Sequence, residues 1–154
     1  GKSSLLNSLT RAHAQVAAYP FTTLEPNLGV SFDFAQDKPI VLADIPGLIE
    51  GASGGKGLGH KFLRHIQRTK ILLHCISVES EQITEDYNRI RKELGEFEKE
   101  LLSKKELVVL TNIDVADEKT IKTKLKQLKV ETIPCSIHQP QTLRALIDRV
   151  RTFV

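Results

Sequence analysis

Apolar runs recur along this chain, and each stops on polar residues: "PIVLADI" at 39–45, "KILLHCISV" at 70–78, "ELVVLTNID" at 106–114 and the shorter "KVETIPCS" at 129–136. A continuous apolar run bounded in this way reads as a strand buried on both faces. "LGVSFDF" (28–34) alternates instead, as a half-buried strand does, and can pair with "PIVLADI" through an "AQDK" turn. Between the runs the period changes. Leu5, Leu6 and Leu9 share one helical face, and Ile83, Tyr87, Ile90, Leu94, Phe97 and Leu101 form the stripe of one amphipathic helix over 81–102. "DEKTIKTKLKQL" opens on acids and closes on lysines, as the helix dipole favours. Leu143, Leu146, Ile147 and Val150 mark a last helix over 140–153. Strands alternating with helices predict an α/β domain, with a mostly parallel sheet covered by helices on both faces. Such sheets bind ligands at the C-terminal ends of their strands, and the polar punctuation falls at those ends.

A length of 154 residues suits one domain with a full core, and 27% charged against 40% hydrophobic residues is ordinary for a globular chain. No apolar stretch reaches the ~20 residues that span a bilayer. Cys75 and Cys135 sit in apolar contexts without metal-ligand spacing, which reads as buried reduced thiols in strands and fits a cytoplasmic setting. A net charge of +3 does not by itself argue for nucleic-acid binding. The chain opens on "GKSSLLNSL" with no initiator methionine, inside what looks like a motif, and reads as trimmed or incomplete at that end.

The chemistry-bearing candidates follow the strand ends. Gly1-Lys2-Ser3 directly precedes a helix. It has the last three positions of a phosphate-binding loop, in which backbone N–H groups cradle phosphates, lysine reaches the outer ones and the hydroxyl meets Mg²⁺. An ordinary helix cap explains three residues equally well. In "PFTTLEPNLG", Thr22 and Thr23 are either turn residues or the threonines of a switch loop. Asp44 ends an apolar run, where a carboxylate is costly unless it is solvated or paired, and Mg²⁺ is one such partner. Gly47 can offer its N–H to a terminal phosphate, and glycines 51, 54, 55, 57 and 59 leave the following segment free to reorder. Asp114 can cap a helix, or can accept two neighbouring guanine N–H groups that adenine does not present. Ser136 and the Ile137 N–H, in "CSIH", can contact the base. Each signal is weak alone. Their order and spacing are the strong one.

"YPFTTLEPNLGV" and "ADIPGLIEGASGGKGLGHKFLRHIQRT" resemble the switch regions of the Obg family, the ribosome-associated P-loop GTPases, over essentially the whole chain. The resemblance implies a P-loop fold whose first strand lies outside this sequence, making 1–154 an Obg-type G domain. It implies that Gly1, Lys2, Ser3 and Ser4 end the phosphate loop, with Ser3 on Mg²⁺. Phe21, Thr22, Thr23, Leu24 and Glu25 form the first switch, with Thr23 as its metal-linked threonine. Asp44, Ile45, Pro46 and Gly47 meet the metal and the terminal phosphate. Thr111, Asn112, Ile113 and Asp114 hold the base with Ser136, Ile137 and His138. Lys2, Thr23 and Gly47 are the catalytic candidates, and Ser3, Thr23 and Asp44 the metal ligands. Family members also carry a glycine-rich N-terminal domain that contacts the ribosome. The implied partners are therefore guanine nucleotide and, through other domains, the large ribosomal subunit and its RNA. The expected molecule is a monomer that does not engage membranes.

Three positions depart from the family pattern. The start of the phosphate loop is absent, Asn112 stands where a lysine packs over the base, and Ile137 replaces an alanine. Leu48 occupies the place where Ras-like GTPases carry a water-orienting glutamine, as the family does, and this implies slow intrinsic hydrolysis. Arg64 and His65 read as a solvated helix face, and His13, His60, His74 and His138 show no ligand spacing. The leading expectation is a slow GTPase switch acting in large-subunit assembly. Its rivals are a GDP, GTP or ppGpp sensor with negligible turnover, a non-binding remnant and, weakest, an ATPase.

Overall fold

The computed structural model describes residues 2–10, 28–31, 40–43, 69–97 and 99–154. In chain order these form α1 (Lys2–Leu9), β1 (Leu28–Ser31), β2 (Ile40–Ala43), β3 (Ile71–Ser77), α2 (Ile83–Phe97), β4 (Lys105–Thr111), α3 (Glu118–Leu128), β5 (Thr132–Pro134) and α4 (Pro140–Arg151). Short 3₁₀ turns follow α2 (Lys99–Ser103) and β4 (Ile113–Val115).

Leu107, Val108, Val109 and Leu110 run through β4 with at most 1% of their surface exposed. Such a run has to lie between other strands and under helices on both faces. It does: β4 is the middle strand of a three-stranded parallel sheet, β3-β4-β5. The register runs from Ile71 opposite Lys105 to Ser77 opposite Thr111 on one side, and from Val108 opposite Thr132 to Leu110 opposite Pro134 on the other. Helices α2 and α3 are the crossovers that parallel pairing requires.

Because strand side chains alternate, β4 feeds two cores. Leu107 and Val109 pack with Leu5, Ile40, Leu146 and Val150, the side of α1 and α4. Val108 and Leu110 pack with Ile83, Ile113, Leu128, Ile121 and Leu125, the side of α2 and α3. Burying one such leucine is worth about 2 kcal/mol. Together these contacts fix where β4 ends, and therefore where the loop beyond Thr111 begins.

The expected α/β architecture is present, with some local differences. β1 and β2 pair antiparallel, Leu28 opposite Ala43 and Ser31 opposite Ile40, as the alternating pattern predicts. "PIVLADI" does not behave as a strand buried on both faces, because Ile40 is buried but Val41 is 59% exposed. Among the described residues β2 pairs only with β1, and a two-stranded ribbon covers one face. The helix expected over 81–102 stops at Phe97, and Leu101 is buried from the 3₁₀ turn instead. At Gly95 the chain folds back closely: a Cβ there would stand 2.7 Å from Leu102 Cδ1. A larger residue there would require the Leu102 side chain to shift. Both thiols are free, but Cys75 is half-buried in β3 while buried Cys135 lies one residue beyond β5. Among the described residues no helix is long and apolar enough to cross a membrane.

Helix α2 is tied to the sheet by a polar cluster. Glu106, near the start of β4, accepts from His74 Nδ1 at 2.7 Å, from Arg91 at 3.0 Å and from the Tyr87 hydroxyl at 3.3 Å. A carboxylate only accepts, so Nδ1 of His74 carries the proton. The His74 ring also stacks on Tyr87, 5.1 Å between centroids. Burial pushes the Glu106 carboxyl up, but the His74 hydrogen bond, the His74 and Arg91 charges and the Tyr87 hydroxyl outweigh it. The group ends below the usual carboxylate range.

Candidate nucleotide-binding site

Past Thr111 the chain must leave the sheet without unfolding the core. Asn112 makes the turn in the left-handed region, φ 60° and ψ 31°, which asparagine tolerates better than most residues. Ile113 then drops back into the core at 8% exposure, and this holds the short 3₁₀ turn against the α3 side. One buried residue thereby anchors the loop and leaves its neighbour Asp114 on the surface.

Asp114 is held from the adjacent strand end. Cys135 N–H donates to Leu110 carbonyl at 2.8 Å, extending the β4–β5 ladder one residue past Pro134. That brings buried Ser136 beside the 3₁₀ turn, where its hydroxyl donates to Asp114 Oδ1. The same hydroxyl oxygen accepts from the His138 N–H at 3.0 Å. The Ser136 hydrogen bond holds the Asp114 carboxyl below the usual range, against a slight upward push from burial, with its own N–H and the nearby His138 assisting. Asp114 is thus an ionised acceptor with a set direction, which is what reading a pair of N–H donors requires.

Two further strand ends converge here. Thr111 is buried, and its hydroxyl crosses to the Ile76 carbonyl at 3.2 Å, so it locks β4 to β3 and lines the site with the rest of its atoms. Asn112 Nδ2 donates to Glu79 Oε2 at 3.3 Å, and Glu79 also takes the Ser77 hydroxyl at 3.3 Å. Glu79 follows the end of β3, a position the motif reading did not single out although polar residues close the other strands too. A cleft of about 210 Å³ opens between Ser4 and Leu5 of α1, Thr111 and Asn112 after β4, and Cys135 and Ile137 after β5. Lys2 and Ser3 sit in the first turn of that same α1.

Three sequence motifs, the first more than a hundred residues from the other two, therefore come together at the strand ends: the helix opened by Lys2-Ser3-Ser4, the segment Thr111–Asp114 and the segment Ser136–His138. Gly1, Phe21, Thr22, Thr23, Leu24, Glu25, Asp44, Ile45, Pro46 and Gly47 lie outside the described residues, Asp44 directly after the last residue of β2. Among the described residues no group of three or more His, Cys, Asp or Glu side chains could hold a metal. Ser3 still suits a hard cation: it is an exposed hydroxyl on the first turn of a helix, next to a lysine.

A parallel sheet flanked by helices, with a helix N-terminus and a base-sized cleft at its strand ends, defines the architecture of a P-loop nucleotide-binding protein. Residues 1–113 match the 50S ribosome-binding GTPase family, and the chain belongs to that family. It is 53% identical over 127 residues to GTPase Obg of Pelagibacter ubique, covering 82% of this chain and 38% of that protein. It is 49% identical over 129 residues to GTPase Obg of Brachyspira hyodysenteriae, covering 84% of this chain and 19% of that one. The chain thus spans well under half the length of these relatives. Among solved structures the fold resembles Aquifex aeolicus Era bound to GDP.AlF4-, with a TM-score of 0.71 at 21% identity, covering 100% of this chain and 53% of that one. It also resembles the G domain of the T. maritima FeoB iron transporter, with a TM-score of 0.63 at 24% identity, covering 99% of this chain and 91% of that one.

Proposed function

We propose that residues 1–154 are the G domain of an Obg-type switch that binds GTP and GDP, hydrolyses GTP slowly and acts in large ribosomal subunit assembly. The single observation behind this reading is one cleft lined by Ser4 and Leu5 of the helix that begins Lys2-Ser3, by Thr111 and Asn112, and by Cys135 and Ile137, the segments that carry Asp114 and its partner Ser136. A cleft shared by the base-motif segments and the helix of the phosphate motif suits a nucleotide better than a small anion or a base alone.

In this reading the Asp114 carboxylate takes the ring N–H and the amino N–H of guanine, and Ser136 keeps it aimed. The Ile137 N–H and His138 border the base. Lys2 offsets the charge of the outer phosphates, and the Gly47 N–H meets the terminal one. Ser3, Thr23 and Asp44 would hold Mg²⁺, which when bound neutralises charge building on the phosphate oxygens. Phe21 to Glu25 and Asp44 to Gly47 would act as the two switches, gripping the terminal phosphate only while it is present. Leu48 has no group to orient a water, so the intrinsic rate is slow and a ribosomal partner, engaged through other parts of the protein, would set the useful one. The protein acts as a soluble monomer in the cytoplasm.

A second reading, a guanine-nucleotide or ppGpp sensor with negligible turnover, is favoured by Asn112. Its amide is turned to Glu79 where the family lysine would cover the base. Phosphate release by the whole protein, with and without large ribosomal subunits, separates the two. We expect slow release that the subunits accelerate and Lys2→Ala abolishes. GDP and GTP binding without release under either condition would leave the sensor.

A further inference from the structure

Thr142 belongs to none of the nucleotide motifs, yet its hydroxyl organises the loop that carries one. It sits two residues inside the start of α4, after Pro140. The N-cap residue of this helix, Gln139, makes no side-chain cap hydrogen bond. Thr142 reaches backward out of the helix instead. Its Oγ1 accepts the Ser136 N–H at 3.0 Å and donates to the Gln139 carbonyl at 2.8 Å, with the Ser136 carbonyl also close at 3.1 Å. One hydroxyl thus fastens both ends of the Ser136–Gln139 turn to the helix.

The turn so fastened is the one that holds Asp114. Ser136 is 1% exposed, so its N–H has no easy access to water if Thr142 lets go. Its side chain spans His138 N–H on one side and Asp114 Oδ1 on the other. A shift of the Ser136 backbone moves its hydroxyl and, with it, the carboxylate. Recognition of two parallel donors tolerates little such movement.

We propose that Thr142 is a positioning residue for base recognition: through the Ser136 backbone its hydroxyl sets the direction in which the Asp114 carboxylate is presented. This rests on the reading of Asp114 as the guanine acceptor. It predicts an effect on discrimination and not merely on affinity. Inosine lacks the exocyclic amino group of guanine, so the ratio of GDP to IDP affinity reports how well the carboxylate faces that group.

The test uses the whole protein and measures GDP and IDP affinity by calorimetry in Thr142→Val, Thr142→Ala and Thr142→Ser. The valine and alanine variants should lower the GDP-over-IDP preference about five- to tenfold, and serine, which keeps the hydroxyl, should retain it. A helix-capping role alone would weaken both nucleotides equally and leave the ratio unchanged, which overturns the proposal. So does a serine variant that behaves like valine. If valine does not fold, the alanine–serine pair decides. Asp114→Asn measured alongside against XDP separates the two levels. A switch to xanthine with an unmoved Thr142 ratio overturns this inference alone, whereas no switch removes the base reading and this inference with it.

Discussion

Glu106 and Asp114 stand at opposite ends of β4, and both are carboxylates held below their ordinary range, but by different means. Glu106 is covered between β3, β4 and α2, and both its oxygens are taken by His74, Arg91 and Tyr87. Asp114 is exposed and, among the described residues, takes Ser136 as side-chain partner on Oδ1. Saturated and half-buried, Glu106 holds the structure together. Aimed and exposed, Asp114 can serve a ligand. One strand therefore carries a structural acid at its start and, in the proposed reading, a recognition acid just beyond its end.

The largest expected effect comes from removing the structural acid. Glu106→Ala leaves Arg91 and the His74 Nδ1–H without their acceptor, and stranding such partly covered donors costs about 2–3 kcal/mol. Urea unfolding should register that loss, while any protein that remains folded keeps its guanine preference. A loss of under about 1 kcal/mol would erase the contrast, since Glu106 would then behave as a surface charge.

The recognition acid should show the opposite profile. Asp114→Asn turns an acceptor into a donor opposite guanine's amino group, lowering GDP affinity about ten- to a hundredfold. XDP, which has a carbonyl there, should gain, and the melting temperature should hardly move. Competition binding with both nucleotides checks this. A large melting shift with unchanged base preference would mean that Asp114 is a structural residue too.

Acid titration sharpens the comparison with the smallest expected signal. The folded-state pKa of Glu106 lies below its unfolded value, so its stabilisation is complete above the unfolded value, about 4.3, and is lost as pH falls through the folded one. The stability gap between the protein and Glu106→Gln should therefore narrow between about pH 5 and about pH 3. A gap that stays constant over that window would show that the cluster acts through shape alone.

Neither role could be assigned from residue type, though much of the surrounding frame could be. Hydrophobic period placed β3, β4, β5, α3 and α4 close to where they lie, because burial on both faces leaves so strong a mark as Leu107–Leu110. Period also failed in a characteristic way at α2. Its stripe continues through Leu101, but the helix ends at Phe97 and that leucine is buried from the 3₁₀ turn that follows. A periodic pattern records which residues are buried, not which element buries them. "PIVLADI" erred for the same reason: an apolar run states what it would tolerate, and its neighbours decide what covers it.

By itself the sequence determined the alternation of strands and helices, the polar strand ends and the motifs at Lys2-Ser3, Thr111–Asp114 and Ser136–His138, since these follow from local chemistry and order along the chain. Only the tertiary structure decided which groups touch. That Ser136 aims Asp114, that Asn112 turns to Glu79 and that Glu106 meets His74 follow from parallel register, while Tyr87 and Arg91 reach Glu106 because their helix packs on the sheet and Thr142 holds Ser136 through a local turn. Register sets side chains from distant segments within hydrogen-bond reach of one another, and it depends on how two cores pack around β4. Hydrogen bonds act over about 3 Å, whereas a sequence pattern specifies only which face a residue is on.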